Sequence, residues 1–234
     1  MRISYHFLVL ALASLAYSQP TAFDAREATI DSVHHALFNG LNSCRDVVSA
    51  FLARTAALNQ HVNAIITLNP NALVQASALD AQLSAGNATQ MLFCIPILLK
   101  DNYDTTDMPT TGGNLALNES RPSIDAASVS ALRQAGAIIL GKANLHELAL
   151  EGLSVSSLGG QTINPYDLSR TPGGSSGGSG SGIACSLAVL ATGTDTVNSL
   201  RSPASANSLF SIRPTRGLIS RAGVIPIRYP AVNT

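Results

Sequence analysis

The sequence predicts an α/β domain, with a mostly parallel or mixed twisted sheet flanked by helices. Two observations carry this. Alanine-rich stretches of helical character occupy the chain up to about residue 83, and from residue 92 short apolar runs alternate with a helix and glycine-rich turns. Strand, helix and strand joined by short connections form a crossover onto a parallel sheet.

Taken in order, residues 1–18 carry a basic Arg2, an apolar stretch from Phe7 to Ala16 and small residues before a cut after Ser18. That is the layout of a secretory signal peptide, so residues 19–234 are expected to be the exported part, secreted and extracellular. No later run has the length needed to span a bilayer, and the protein is not expected to be transmembrane. The sequons Asn87-Ala88-Thr89 and Asn118-Glu119-Ser120 fit N-glycans. A helix is expected from Asp24 to Phe38, ending near Gly40. A second opens at a Ser43/Asp46 capping box and runs to about Leu58, and a third covers Asn71 to Leu83 before Gly86. The strand Cys94–Leu99 follows, then a Thr/Gly-rich loop from Asp104 to Gly113 and a helix from Asp125 to Gln134. A four-residue strand from Ala137 to Leu140 turns through Gly141-Lys142-Ala143-Asn144 into a short helix ending at Leu150. Gly178 to Cys185 reads as a short helix and Leu187 to Thr192 as a strand. Leu209–Pro214 and Gly223–Pro230 read as strands or tight connections that need cover on both faces.

Composition narrows the function classes. With 14 basic against 14 acidic residues there is no electrostatic case for nucleic acid or an anionic membrane. Only 12% of residues are charged, which suits a chain whose segments are mostly interior. Cys44, Cys94 and Cys185 form an odd set: buried thiols, one disulfide, and pairing with a cysteine outside this chain all stay open. His34, His35, His61 and His146 have no metal-ligand spacing, and neither a metal nor a cofactor is expected.

The chemistry concentrates at a lysine and a glycine-serine run. Lys100 ends the apolar Cys94–Leu99 strand and is followed by Asp101-Asn102. Desolvation there disfavours its charged form and makes it a candidate base for a serine. Pro172 through Gly182 is almost all Gly and Ser, yet it leads directly into apolar Ile183–Ala191, as befits backbone folded tightly in an interior rather than a linker. These stretches, with Gly141-Lys142-Ala143-Asn144 and Glu147, Asn164-Pro165, Arg170-Thr171-Pro172-Gly173-Gly174-Ser175-Ser176-Gly177-Gly178, Gly193-Thr194-Asp195-Thr196 with Ser199, Arg201 and Pro203, and Arg213 to Leu218, occur in one order. In that order they resemble the N-terminal half of the amidase signature family, as in a secreted, fungal-type member. The match covers roughly residues 25–230, so residues 19–234 read as the N-terminal part of a single amidase domain, incomplete at its C-terminus.

The resemblance implies a serine hydrolase of small-molecule or acyl carboxamides without a cofactor. It makes Lys100 the base, Ser175 the middle serine at a cis peptide bond, and Ser199 the nucleophile. Backbone N–H groups at Thr196, Val197 and Asn198 would form the oxyanion hole. The family commonly has small residues there, so a positive φ at β-branched Val197 would strain it. Asn102, Asn144, Arg170, Gly173 and Gly174 are expected to hold Lys100 and the loop, and Asp195 and Arg201 to frame Ser199. Cys94 stands where the family commonly has Gly and is expected to matter for packing. Two alternatives remain: a non-catalytic remnant or secreted binding protein from a truncated amidase, and the amidotransferase subunit that supplies ammonia to misacylated transfer RNA. The leader and the neutral charge oppose the latter.

Overall fold

The computed structural model describes residues 22–227; the expected signal peptide lies outside them. Three helices come first. α1 (Ile30–Phe38) starts six residues later than expected, because Thr29 caps it: Ser32 N donates to Thr29 Oγ1 and Thr29 N to Ser32 Oγ. Asp24 instead pairs with Arg26 in the preceding turn. α2 (Cys44–Val62) opens at the Ser43/Asp46 box as the sequence indicates. It passes Leu58 and stops at left-handed Asn63, where Asn59 Oδ1 accepts the N–H groups of Ala64 and Ile65 and turns the chain. α3 (Ala72–Ser84) packs beside it. Asp80 of α3 accepts from Cys44 N at 2.6 Å and Arg45 N at 3.0 Å, placing a carboxylate on the positive end of α2.

The main sheet has the order β1-β3-β2-β6. β2 (Pro96–Lys100) is parallel to β3 (Ile138–Ala143) on one side and to β6 (Leu190–Ala191) on the other, while β1 (Ile65–Leu68) runs antiparallel at the edge. Every residue of β2 is buried, which is why this strand is a continuous apolar run rather than an alternating one. The helix between β2 and β3, α4 (Ala127–Gln134), begins two residues past Asp125. That carboxylate is occupied by Thr106 N and by Arg133 Nε.

Several elements differ from the sequence reading. β1 has no strong pattern of its own; it forms because Gly141 lets Thr67 approach, a Cβ there lying 2.4 Å from Thr67 O. β3 continues through Gly141-Lys142-Ala143, since Lys142 is accommodated in the interior. The expected helix after Asn144 is only a 3₁₀ turn at Glu147–Ala149, with Leu148 and Ala149 at positive φ. A hairpin of β4 (Val155–Ser156) and β5 (Gly160–Gln161) follows it. α5 (Gly177–Ala184) and α6 (Arg201–Ala206) flank the short β6. No strand forms at 209–214, where Phe210 and Ile212 are exposed. Of the 223–230 segment, Val224 makes one antiparallel bridge to Tyr103, and residues 228–230 fall outside the description.

Of the three readings left open for the cysteines, the structure has one disulfide, Cys44–Cys94, with Cys185 a buried thiol. It ties the start of α2 to the residue leading into β2, across 50 positions of sequence. Cys94 has φ +59, a conformation that favours glycine, and its side chain serves as the cross-link. Closing a loop of this length stabilises the folded state by about 2–4 kcal/mol. Cys44→Ala should therefore lower the free energy of unfolding by that amount, read as a lower denaturant midpoint at an unchanged m-value. In guanidinium without reductant the wild-type chain should titrate one thiol, and three would disprove the bond.

Candidate active site

The carboxyl ends of β2 and β3, the N-terminus of α5 and the turn after β6 converge. Lys100, the last residue of β2, is fully buried. Its Nζ lies 2.7 Å from Ser175 Oγ and 2.8 Å from Thr194 Oγ1. Burial among neutral partners pulls its pKa down to about 7, against the opposing attraction of the Asp195 carboxylate. A neutral amine is therefore accessible near neutral pH.

Ser175 follows a cis peptide bond from Gly174. The loop around it packs against backbone on all sides, which its glycines permit. At Gly178 a Cβ would lie 2.3 Å from Asn144 O and 2.4 Å from Ala64 O, while Gly178 N donates to Asn144 O. Gly173 has φ +74, and a Cβ on Gly174 would meet the backbone of Gly152. Ser154 Oγ donates to Gly173 O, and His146 N donates to Ser175 O.

The expected supporting residues divide. Asn102 is buried, with Nδ2 3.2 Å from Thr194 Oγ1. Asn144 lies under the loop, donating to Asn63 O and Gly160 O and accepting from Leu145 N and Ser156 Oγ. Arg170 differs from expectation: its side chain is 76% exposed and pairs with Asp167, with no bond to Lys100 or the glycine-serine loop. Asp195 is buried and accepts from Leu200 N, Arg201 N and the Arg201 guanidinium, which also reaches Val197 O. Burial raises the carboxyl of Asp195, but these donors outweigh that and hold it below its usual range.

Ser199 is buried, and its carbonyl accepts from Ser176 N at 3.1 Å. Its hydroxyl makes no hydrogen bond among the described residues, so contact with Ser175 Oγ is not formed in this state. The N–H groups of residues 196–199 likewise have no acceptor among the described residues. Thr196, Val197 and Asn198 all avoid positive φ, so the strain expected at Val197 does not arise; its side chain is 77% exposed instead.

Sequence reasoning gave no role to Thr194 or to the Lys142–Asp101 pair. Lys142 Nζ lies 3.1 Å from Asp101 Oδ1, without hydrogen-bond alignment, and donates to Pro109 O and Thr110 Oγ1. Asp101 Oδ2 accepts from Thr111 N and Oγ1. The pair thus fixes the 109–113 loop beside Lys100. Lys142 reads in the sequence as part of a turn after Leu140, so its burial at the end of β3 had no local signal. Because its Cβ would press on two backbone carbonyls, Gly178→Ala should cost about 1–3 kcal/mol, read as a lower denaturant midpoint; an unchanged midpoint would show that the loop can yield.

Residues 46–233 match the Amidase family model. A probable amidase of Arabidopsis thaliana is 40% identical over 215 residues, covering 88% of this chain and 42% of that protein. One of the subunits of the glutamyl-tRNA(Gln) amidotransferase of Microcystis aeruginosa is 39% identical over 198 residues, covering 84% of this chain and 41% of that one. Native peptide amidase from Stenotrophomonas maltophilia superposes with a TM-score of 0.83 at 41% identity, over 86% of this chain and 43% of that one. The chain thus spans about two fifths of the length of these relatives. With its glycine-serine loop set over a buried lysine, and this match along most of its length, the chain belongs to the amidase family.

Proposed function

We propose that the protein is a serine hydrolase of linear carboxamides, working through a relay of Lys100, Ser175 and Ser199. One observation carries the reading: a fully buried lysine whose Nζ lies 2.7 Å from Ser175 Oγ, with a pKa drawn down to about 7. Neutral Lys100 takes the Ser175 proton as Ser175 takes the proton of Ser199. Ser199 Oγ then bonds to the amide carbon. The negative charge that develops on the amide oxygen meets the unoccupied N–H groups at Thr196, Val197 and Asn198. Collapse breaks the C–N bond, the proton returns through Ser175 to the leaving amine, and water releases the acyl group by the same route. Asp195, clamped by Arg201, keeps the Ser199 turn in place.

The competing reading is one component of a transfer RNA amidotransferase, the role named for the Microcystis relative. Balanced charge and the leader-like first 18 residues oppose it. Export is supported further by the Cys44–Cys94 disulfide, a bond that persists in oxidising compartments. Asn87 and Asn118 are both exposed and available to carry N-glycans. Secreted protein should lose mass on enzymatic deglycosylation, and the double variant Asn87→Gln/Asn118→Gln should not.

A fluorophosphonate probe applied to the full-length protein tests the chemistry. It should label Ser199, and Ser199→Ala should abolish both labelling and amide hydrolysis without changing the unfolding midpoint. Labelling of Ser199→Ala at the wild-type rate would remove Ser199 from the role, and no labelling of the wild type would refute the relay and leave a non-catalytic protein. Lys100→Ala should lower the rate by about 10²–10⁴. The neutral lysine is the working form, and its share grows as pH rises through its pKa. The kcat/KM of the wild type should therefore climb with pH, with its midpoint near 7.

A further inference from the structure

The hydroxyl of Thr194 poses a proton problem next to Lys100. A neutral lysine amine has two N–H donors and one lone pair, and the relay works only if that lone pair faces the Ser175 hydroxyl. Among the described residues, Thr194 Oγ1 touches two polar groups, Lys100 Nζ at 2.8 Å and the Asn102 amide at 3.2 Å. With the Asn102 NH₂ turned toward it, Thr194 receives a proton from Asn102 and has one place to send its own: the Lys100 lone pair. That arrangement would turn the lone pair away from Ser175. It also leaves Asn102 Oδ1 buried with no partner, a costly state for an amide oxygen in an interior.

A half-turn of the Asn102 amide removes the first difficulty and gives Oδ1 a partner, with the NH₂ taking the buried position the oxygen held. The carboxamide is nearly symmetric in shape, so the turn exchanges oxygen and nitrogen with little change in packing. Thr194 Oγ1 then donates to Asn102 Oδ1 and accepts from Lys100 Nζ–H. The lone pair is left for Ser175. We propose that Asn102, acting through the Thr194 hydroxyl, is a positioning residue that sets the direction of the proton chain at Lys100. The inference rests on the Lys100–Ser175–Ser199 reading and deepens it: both residues act through the lysine, on which way it presents its base.

The test is a double-variant cycle on the full-length protein, read as fluorophosphonate labelling resolved into kinact and KI. Asn102→Leu removes the acceptor, so the Thr194 proton turns back onto Lys100; kinact should fall at least tenfold with KI unchanged. Adding Thr194→Val removes the competing proton, so Asn102→Leu/Thr194→Val should label faster than Asn102→Leu alone. Damage from packing alone would instead make the double variant as slow as the product of the two single losses, or slower, and that result would overturn the proposal. Asn102→Ala carries the same comparison if the leucine variant does not fold. Lys100→Met run alongside separates the two levels: labelling at the wild-type rate by that variant would sink the relay itself. Its loss together with an unrescued double variant would sink only the role of Asn102.

Discussion

The structure depends on keeping an amine dry. Lys100 sits at the end of a strand buried along its whole length, and its nearest polar atoms are hydroxyls rather than carboxylates. Burial without an opposite charge in contact makes the ammonium unfavourable and the free amine accessible. Everything that closes the interior around β2 contributes: β3 and β6 on its two edges, α2 and α3 from the first part of the chain, and the loop of glycines over its end. The charge of Asp195 pulls the other way, but that carboxylate is occupied by the Arg201 guanidinium and two backbone donors.

The neighbouring strand offers a contrast. Lys142 is equally buried, with its pKa also lowered by desolvation, yet a carboxylate stands 3.1 Å away in Asp101. Two lysines at adjacent strand ends are thus given different work. One is paired and organises the 109–113 loop through Pro109, Thr110 and Thr111; the other is left with neutral partners. Breaking a buried pair exposes an uncompensated charge to the interior, so the Asp101–Lys142 contact holds the loop beside Lys100 without placing a carboxylate in contact with it.

Close approach is the second constraint. The loop from Gly173 to Gly178 threads between the backbones of residues 144, 152 and 203, where a Cβ at any of its four glycines would collide with a neighbour. Buried hydroxyls fill the polar needs of this dry region: Ser154 serves Gly173 O, Ser156 serves Asn144, and Ser179 serves Thr192 O. Small residues therefore do two tasks at once, letting chains touch and satisfying the backbone groups that touching would strand.

Much of this was legible in the chain. The capping box at Ser43, the apolar strand ending in Lys100 and the Gly/Ser run before an apolar segment each point to one local structure, because cap chemistry and burial periodicity act over a few residues. β1, the hairpin at residues 155–161 and the extension of β3 to Ala143 were not legible, since each exists through a partner distant in sequence. The same holds for Cys44 and Cys94, whose pairing needed the folded distance. At the site, a lysine closing an apolar strand nominated Lys100 and the resemblance to the amidase family nominated Ser175 and Ser199, but only the tertiary structure put Thr194 against the lysine and sent Arg170 to solvent. Sequence determined which groups could do chemistry; packing decided which of them stand in the dry interior, because desolvation is a property of the whole surroundings and not of any one stretch of chain.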